Sequence, residues 1–185
     1  MTQLTQRAMA ASLKKMLSRK TLDKITVKEI ADDCGVKRQT FYYHFKDIYD
    51  LLEWTFVQEG EQFIDAERIC KNWQDVYLEV FQYIENNKNF TINAYSSMGR
   101  EHLERYFYKI VYDLIALFIE GTRDSHKISQ EDKDFICNFY KYALVGIILD
   151  WIRGGMKADP KVITSKLHSL LKQQMHTDLF PLSSD

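Results

Sequence analysis

The sequence predicts an all-α fold of about nine helices, a small N-terminal three-helix unit followed by a larger helical bundle. Turn-forming residues are scarce: 185 residues hold seven glycines and two prolines, too few for the turns of a sandwich or barrel. From the first helix on, apolar side chains recur at three- and four-residue steps. Capping residues and stop signals divide the chain into lengths that suit helices rather than strands.

The first helix spans about residues 5–19, with Ala8, Met9, Ser12, Leu13, Met16 and Leu17 on one face and Arg7, Lys14 and Lys15 away from it. Thr26-Val27-Lys28-Glu29 has the pattern of a capping box and opens a short second helix whose inner face is Val27, Ile30 and Ala31. Cys34-Gly35 ends it, because glycine readily takes the left-handed conformation of a cap or tight turn. A third short helix covers about 38–45, with Phe41 and Phe45 one turn apart on one face. Asp47 caps a long helix expected to reach about Arg68. Further helices are expected near 73–86, 90–95, 100–122, 131–154 and 160–175. Their marks are Asn72 and Ser129 as caps, Gly121 and Gly154-Gly155 as stops, and Pro160 in a first turn. These elements divide the chain into two expected domains, 1–47 and 48–185.

Hydrophobic residues make up 45% and charged residues 28%, the composition of a globular chain rather than a disordered one. A chain of this length buries roughly 70% of its unfolded surface, so it needs no disulfide or metal staple. Cys34, Cys70 and Cys137 form no close pair and show no zinc-binding spacing. His102, His126 and His168 are scattered. No metal and no cofactor are expected. The longest apolar run, Ala143 to Leu149, is far short of the roughly 20 residues of a membrane span. Met1 to Arg7 lacks the apolar stretch of a signal peptide. A soluble, cytoplasmic protein without a membrane partner is the expectation.

The net charge of −1 is unevenly placed. Residues 1–50 hold ten Lys or Arg against six Asp or Glu, an excess of four, and the remainder is acidic by five. A basic end on an acidic body suits an anionic partner at that end. Two short helices around a Gly turn, steadied by a preceding helix, have the spacing of a helix-turn-helix. With Phe41, Phe45 and Val36 turned inward, Lys37, Arg38, Gln39, Thr40, Tyr43 and His44 occupy the outer face and its flanks. These donor-rich side chains suit base edges and phosphates, and Thr26 and Lys28 suit a phosphate. The bland alternative is a solvated helix face with a packed tyrosine edge.

Residues 5–52 resemble the DNA-binding domain of TetR-family transcriptional regulators. The stretches that carry the likeness are Ile25-Thr26-Val27-Lys28-Glu29-Ile30-Ala31, Cys34-Gly35-Val36 and Thr40-Phe41-Tyr42-Tyr43-His44-Phe45-Lys46-Asp47, followed by Leu51-Leu52. The resemblance implies base or near-base contacts from Arg38, Gln39, Thr40 and His44. It implies phosphate contacts from Thr26, Lys28, Tyr42, Tyr43 and Lys46. One departure is Ile48, where the family commonly has a lysine; that phosphate contact is lost or passes to Lys46. Family members are homodimers that read palindromes in double-stranded DNA. A single short recognition helix independently needs a second copy, on a half-site about 34 Å away or more, to bind specifically.

In the body, Leu144, Ile147, Ile148, Trp151, Val162, Ile163, Leu167, Leu170 and Leu171 are expected to form a two-fold four-helix interface, with an intramolecular core as the alternative. The middle of the chain is rich in aromatic residues. Trp54, Phe63, Phe81, Tyr95, Tyr106 and Phe107 are candidates for a pocket that takes a small apolar or aromatic effector, or else are ordinary core. A narrower likeness rests on Trp54, Asn72-Trp73-Gln74, Tyr83-Ile84-Glu85-Asn86-Asn87, Phe135-Ile136-Cys137 and Trp151-Ile152-Arg153-Gly154-Gly155. It points to a TetR-type subgroup that includes a dihydroxyacetone-kinase operon activator, and it implies a body that binds a metabolite-sensing partner protein. Two rival readings are a helical protein-interaction subunit with a vestigial head and an all-helical enzyme. For the enzyme the nearest candidate set is Glu101, His102 and Glu104, which equally suits a solvated helix edge.

Overall fold

The computed structural model describes residues 2–63, 65–96, 100–122 and 125–175, leaving aside the side chains of Thr2, Ala66, Ile69, Cys70, Arg100, His102 and 171–175. Among the described residues there are nine α-helices and no strand. They are α1 (Thr2–Leu17), α2 (Val27–Asp33), α3 (Arg38–His44), α4 (Ile48–Gly60), α5 (Ala66–Asn86), α6 (Lys88–Tyr95), α7 (Arg100–Glu120), α8 (Gln130–Arg153) and α9 (Pro160–Met175). The chain divides into two compact units, 1–62 with 86–107 and 63–85 with 108–185.

In the first unit the amphipathic face of α1 supplies Met9, Leu13 and Leu17, which are fully buried with Ile30, Phe41, Leu51 and Leu52. Each such side chain contributes about 1.5–3 kcal/mol of burial. Asn93 Nδ2 on α6 donates to the carbonyl of Leu17 at 2.7 Å, giving a partner to a carbonyl that the end of α1 leaves without one inside the helix. Phe56 of α4 lies 5.3 Å from both Phe90 and Tyr106, ring centre to ring centre.

The second unit centres on Phe81, with Val145 and Ile148 fully buried on α8. Trp151 meets the Phe81 ring edge-on at 4.9 Å, and its Nε1 donates to the carbonyl of Ala158 at 2.8 Å. Tyr77 also meets Phe81 edge-on and donates its hydroxyl to the Leu144 carbonyl at 2.9 Å.

Two boundaries differ from the sequence expectation. The helix capped by Asp47 ends at Gly60 and not near Arg68. A 3-10 turn follows at Glu61–Phe63. Asp65 then accepts from the amide of Arg68 at 3.1 Å and opens α5. The expected start at Asn72 survives as a break inside α5, where Asn72 takes φ −157° and ψ 71° and its side-chain amide donates to Asp75. The third difference concerns α8, which is long and apolar enough to cross a membrane by length and composition alone. Its most apolar stretch has a mean hydropathy of 1.4, and 44% of that stretch is buried inside the protein. Counting uninterrupted runs overlooks it, because Lys141 and Asp150 break the run without lowering the average much.

Candidate nucleic-acid interface

The site begins with the entry to α2. Thr26 Oγ1 accepts from the Glu29 amide at 3.2 Å, and Glu29 Oε2 accepts from the Thr26 amide at 2.9 Å, a closed capping box. The Thr26 hydroxyl in turn donates to Glu29 Oε2 at 3.0 Å, so its single proton is spent within the cap. Lys28, two residues on, is exposed. Lys20 Nζ donates to Glu29 Oε1 at 2.6 Å. This lysine first, and the Thr26 amide and hydroxyl after it, hold the Glu29 carboxyl down to about 2.

A carboxyl depressed in the fold adds stability above its unfolded value near 4.5 and loses it as pH falls toward 2. The melting temperature of the protein should therefore exceed that of a Glu29→Gln variant at neutral pH, with the gap closing between pH 4.5 and 2. Paired thermal melts over that window check it. A gap that stays constant would mean that Glu29 acts through hydrogen-bonding shape alone.

Between α2 and α3 the chain turns at Gly35, φ +65°, where any side chain would be strained although the space around it is open. Phe41 and Phe45 anchor α3 from behind, fully buried and 3% exposed, with ring centres 5.8 Å apart. Trp54 of α4 meets Phe45 edge-on at 5.9 Å. Asp47 accepts from the Asp50 amide and Asp50 accepts from the Lys46 amide, both at 2.9 Å, and these bonds fix the exit from α3. With the inner face so held, Lys37, Arg38, Gln39, Tyr42, Tyr43 and Lys46 are exposed, while Thr40 and His44 are half-buried.

The basic excess of the head sorts into two sets. Lys14 pairs with Glu59 at 3.0 Å, Lys15 with Asp33 at 2.7 Å and Lys20 with Glu29 at 2.6 Å. Among the described residues Lys28, Lys37, Arg38 and Lys46 form no ion pair. The head cations without an ion pair among the described residues include these four beside the turn and α3, together with Arg7, Arg19 and Lys24 elsewhere in the head.

The body residues separate differently. Val162 and Leu170 are more than half exposed, at 51% and 61%, and Leu144, Ile147, Ile163 and Leu167 are half-buried. Ile148 and Trp151 are 0% and 6% exposed within their own chain, which is the intramolecular alternative for these two, and Trp151 packs there on Phe81. The Leu171 side chain lies outside the described residues. Of the pocket candidates, Phe63, Phe81, Tyr106 and Phe107 are core, exposed by 8% or less. Trp54 and Tyr95 are half-buried. Trp54, Tyr95, Tyr106 and Phe107 belong to the first unit, and Phe63 and Phe81 to the second. A polar groove of about 240 Å³ lies along α5, bordered by Arg68, Asn72, Asp75, Glu79 and Gln82, and none of the six aromatic candidates lines it. Of the enzyme candidates on α7, Glu101 is exposed and Glu104 half-buried, and the His102 side chain lies outside the described residues.

Sequence reasoning missed one surface. Phe135, Phe139 and Tyr142 stand 72%, 61% and 58% exposed along α8. Beside them Lys141 Nζ lies 4.5 Å from the Tyr142 ring centre and 5.7 Å from those of Tyr108 and Tyr112. The i, i+4, i+7 spacing of the three exposed rings was the available signal, and it equally describes a buried stripe.

Residues 11–54 match the family profile described as bacterial regulatory proteins, tetR family, and residues 71–173, more than half of the chain, match one described as a transcriptional regulator C-terminal region. The chain belongs to the TetR family. It is an all-α, DNA-binding transcriptional regulator, and the helix-turn-helix of α2 and α3 is its DNA-binding element. The HTH-type dhaKLM operon transcriptional activator DhaS of Lactococcus lactis subsp. lactis (strain IL1403) is 24% identical over 171 residues, covering 92% of this chain and 90% of its own. A solved structure described as the dihydroxyacetone kinase operon activator DhaS shares the fold with a TM-score of 0.70, at 24% identity over 92% of this chain and 95% of that one. A structure of NalD, the secondary repressor of the MexAB-OprM multidrug efflux pump in Pseudomonas aeruginosa, does so with a TM-score of 0.63 at 18% identity, covering 94% and 97%. The uncharacterized HTH-type transcriptional regulator YxbF of Bacillus subtilis (strain 168) is 26% identical over 175 residues. That match spans 89% of this chain and 44% of YxbF.

Proposed function

We propose that two copies of this TetR-family chain bind a palindromic operator in the cytoplasm, each placing α3 in the major groove of one half-site. Residues 1–47 are the reading head, and 48–185 carry pairing and control. The observation that carries this reading is the outward side of α3. Behind the Phe41–Phe45 anchor, Lys37, Arg38, Gln39, Tyr42 and Tyr43 all face water, and the cations among them lack internal partners. Base edges are read from Arg38, Gln39, Thr40 and His44, and phosphates are held by Lys28, Tyr42, Tyr43 and Lys46 with Lys37 beside them. The second copy packs against the apolar side of α8 and α9, on Leu144, Ile147, Val162, Ile163, Leu167 and Leu170.

Control enters through the body, from a small apolar or aromatic effector or from a partner protein. The second route draws support from one observation: four of the six pocket candidates are core, whereas three aromatic rings on α8 lie open. The relatives' names include both an operon activator and a pump repressor. Those two names differ in the sign of regulation. The names also support a regulator rather than an enzyme.

Gel-shift competition with duplex from upstream of the protein's own gene tests the reading. A preference of about 10³ or more over random duplex is expected, and equal competition would reject it. Lys28→Ala should weaken binding to both duplexes alike and, since each of the two copies loses one phosphate contact, lower the dependence of log affinity on log salt by about two. A loss confined to the operator would move Lys28 from the phosphates to the bases.

A further inference from the structure

The regulator reading leaves open which side chains on α3 touch base edges, and helix geometry separates them. At about 100° per residue, Phe41 and Phe45 set the inward direction of α3. Tyr43 then points about 180° away from it and Gln39 about 140° away, one turn apart on the same outer ridge. Tyr42 and His44 fall about 80° to either side, on the flanks. A helix about 10–12 Å across fills a major groove about 12 Å wide. Its outer ridge therefore meets the middle of the groove floor, while longer side chains at its N-terminal end and on its flanks reach either base edges or phosphates.

Tyr43 is 77% exposed, as open as any large apolar side chain in the described residues, and it stands at the outermost point of the helix. His44 meets its ring edge-on at 5.0 Å and limits its swing. A ring held on the ridge offers apolar surface where a thymine C5-methyl projects, and an amide on the same ridge matches adenine N6 and N7. Four residues of helix rise span about 6 Å, close to two base steps of about 3.4 Å.

We infer that Gln39 and Tyr43 form a two-residue reader of A·T pairs, Gln39 on an adenine and the Tyr43 ring on a thymine methyl about two base pairs further on. This removes Tyr43 from the phosphate set and rests on the operator-binding reading above. The experiment is in vitro selection of random duplex by the full-length chain, followed by replacement of the selected thymine with deoxyuridine, which deletes only the methyl. Selected half-sites should carry the adenine and thymine at that spacing. Wild-type affinity should fall about fourfold for each half-site that loses its methyl, the worth of one buried methylene-sized group.

Tyr43→Phe keeps the ring and loses only the hydroxyl, so it should distinguish thymine from deoxyuridine by the same factor as wild type. Tyr43→Ala should no longer distinguish thymine from deoxyuridine. Gln39→Glu should shift the selected adenine toward cytosine, whose N4 amine donates to a carboxylate. Equal weakening of Tyr43→Phe on both duplexes would return the Tyr43 hydroxyl to a phosphate and overturn the inference, as would methyl discrimination surviving in Tyr43→Ala. An unshifted preference in Gln39→Glu would remove the adenine half of the reader. Selection without any sequence preference would instead defeat the operator-binding reading itself.

Discussion

Replacing Arg38 and Thr40 together by alanine is expected to abolish specific operator binding while leaving helicity and dimer mass unchanged. Arg38 is exposed at the first turn of α3, and Thr40 is only half-buried, so neither belongs to the core that fixes the head. Alanine is the best helix former, and the Phe41–Phe45 anchor is untouched. A bidentate contact from arginine to guanine discriminates by about 1–3 kcal/mol. In a symmetric pair it is lost twice, which amounts to about 2–6 kcal/mol before Thr40 is counted. Specific binding exceeds non-specific binding by about 4–10 kcal/mol in proteins of this kind, so the double variant should fall to the level of random duplex. Anisotropy titrations on operator and scrambled duplex read the loss, and circular dichroism with light scattering shows that fold and pairing persist. Operator affinity within threefold of wild type would take α3 out of the interface.

How much of this was legible beforehand depended on whether the deciding interactions were local. The capping box, the Gly35 turn and the Phe41–Phe45 spacing each lie within a few residues, and all three stand in the structure as the sequence implies. The end of α4 was not legible, because Phe56, Val57, Phe63 and Ile64 recur at seven- and eight-residue steps and so continue a helical period in the sequence through the Gly60 where α4 stops. The two sets of cations were not legible either. Lys14 is neutralised by Glu59, 45 residues away, and no local pattern announces that pair. On α8, Leu144, Ile147, Ile148, Trp151 and Ile152 share one broad face of about 140°. A step of one residue turns about 100°, so periodicity alone cannot say that Ile148 faces its own core and Ile147 the edge of it. The fold decides that by placing Phe81 and the Ala158 carbonyl against Trp151.

That distinction sets the second large effect. A Val162→Asp, Leu170→Asp variant should sediment as a single chain of 22.0 kDa and lose tight operator binding. Both residues are more than half exposed in the isolated chain, so the protomer itself should change by no more than about 0.5 kcal/mol. Across a two-fold interface the pair brings in four carboxylates, and each costs several kcal/mol to desolvate without a partner. Separated heads lose the millimolar effective concentration that one bound half-site gives the other, a loss of about 10²–10⁴ in affinity for the full palindrome. Half-site binding should be unchanged, and that separates lost pairing from a damaged head. Ile148→Asp serves as the contrast. Ile148 is fully buried in its own chain, so this change should unfold the body rather than yield a folded monomer. A Val162→Asp, Leu170→Asp protein that still pairs and still binds the palindrome would move the two-fold axis off α9 and onto the open Phe135–Phe139 side of α8, the other large apolar surface that the second unit exposes among the described residues.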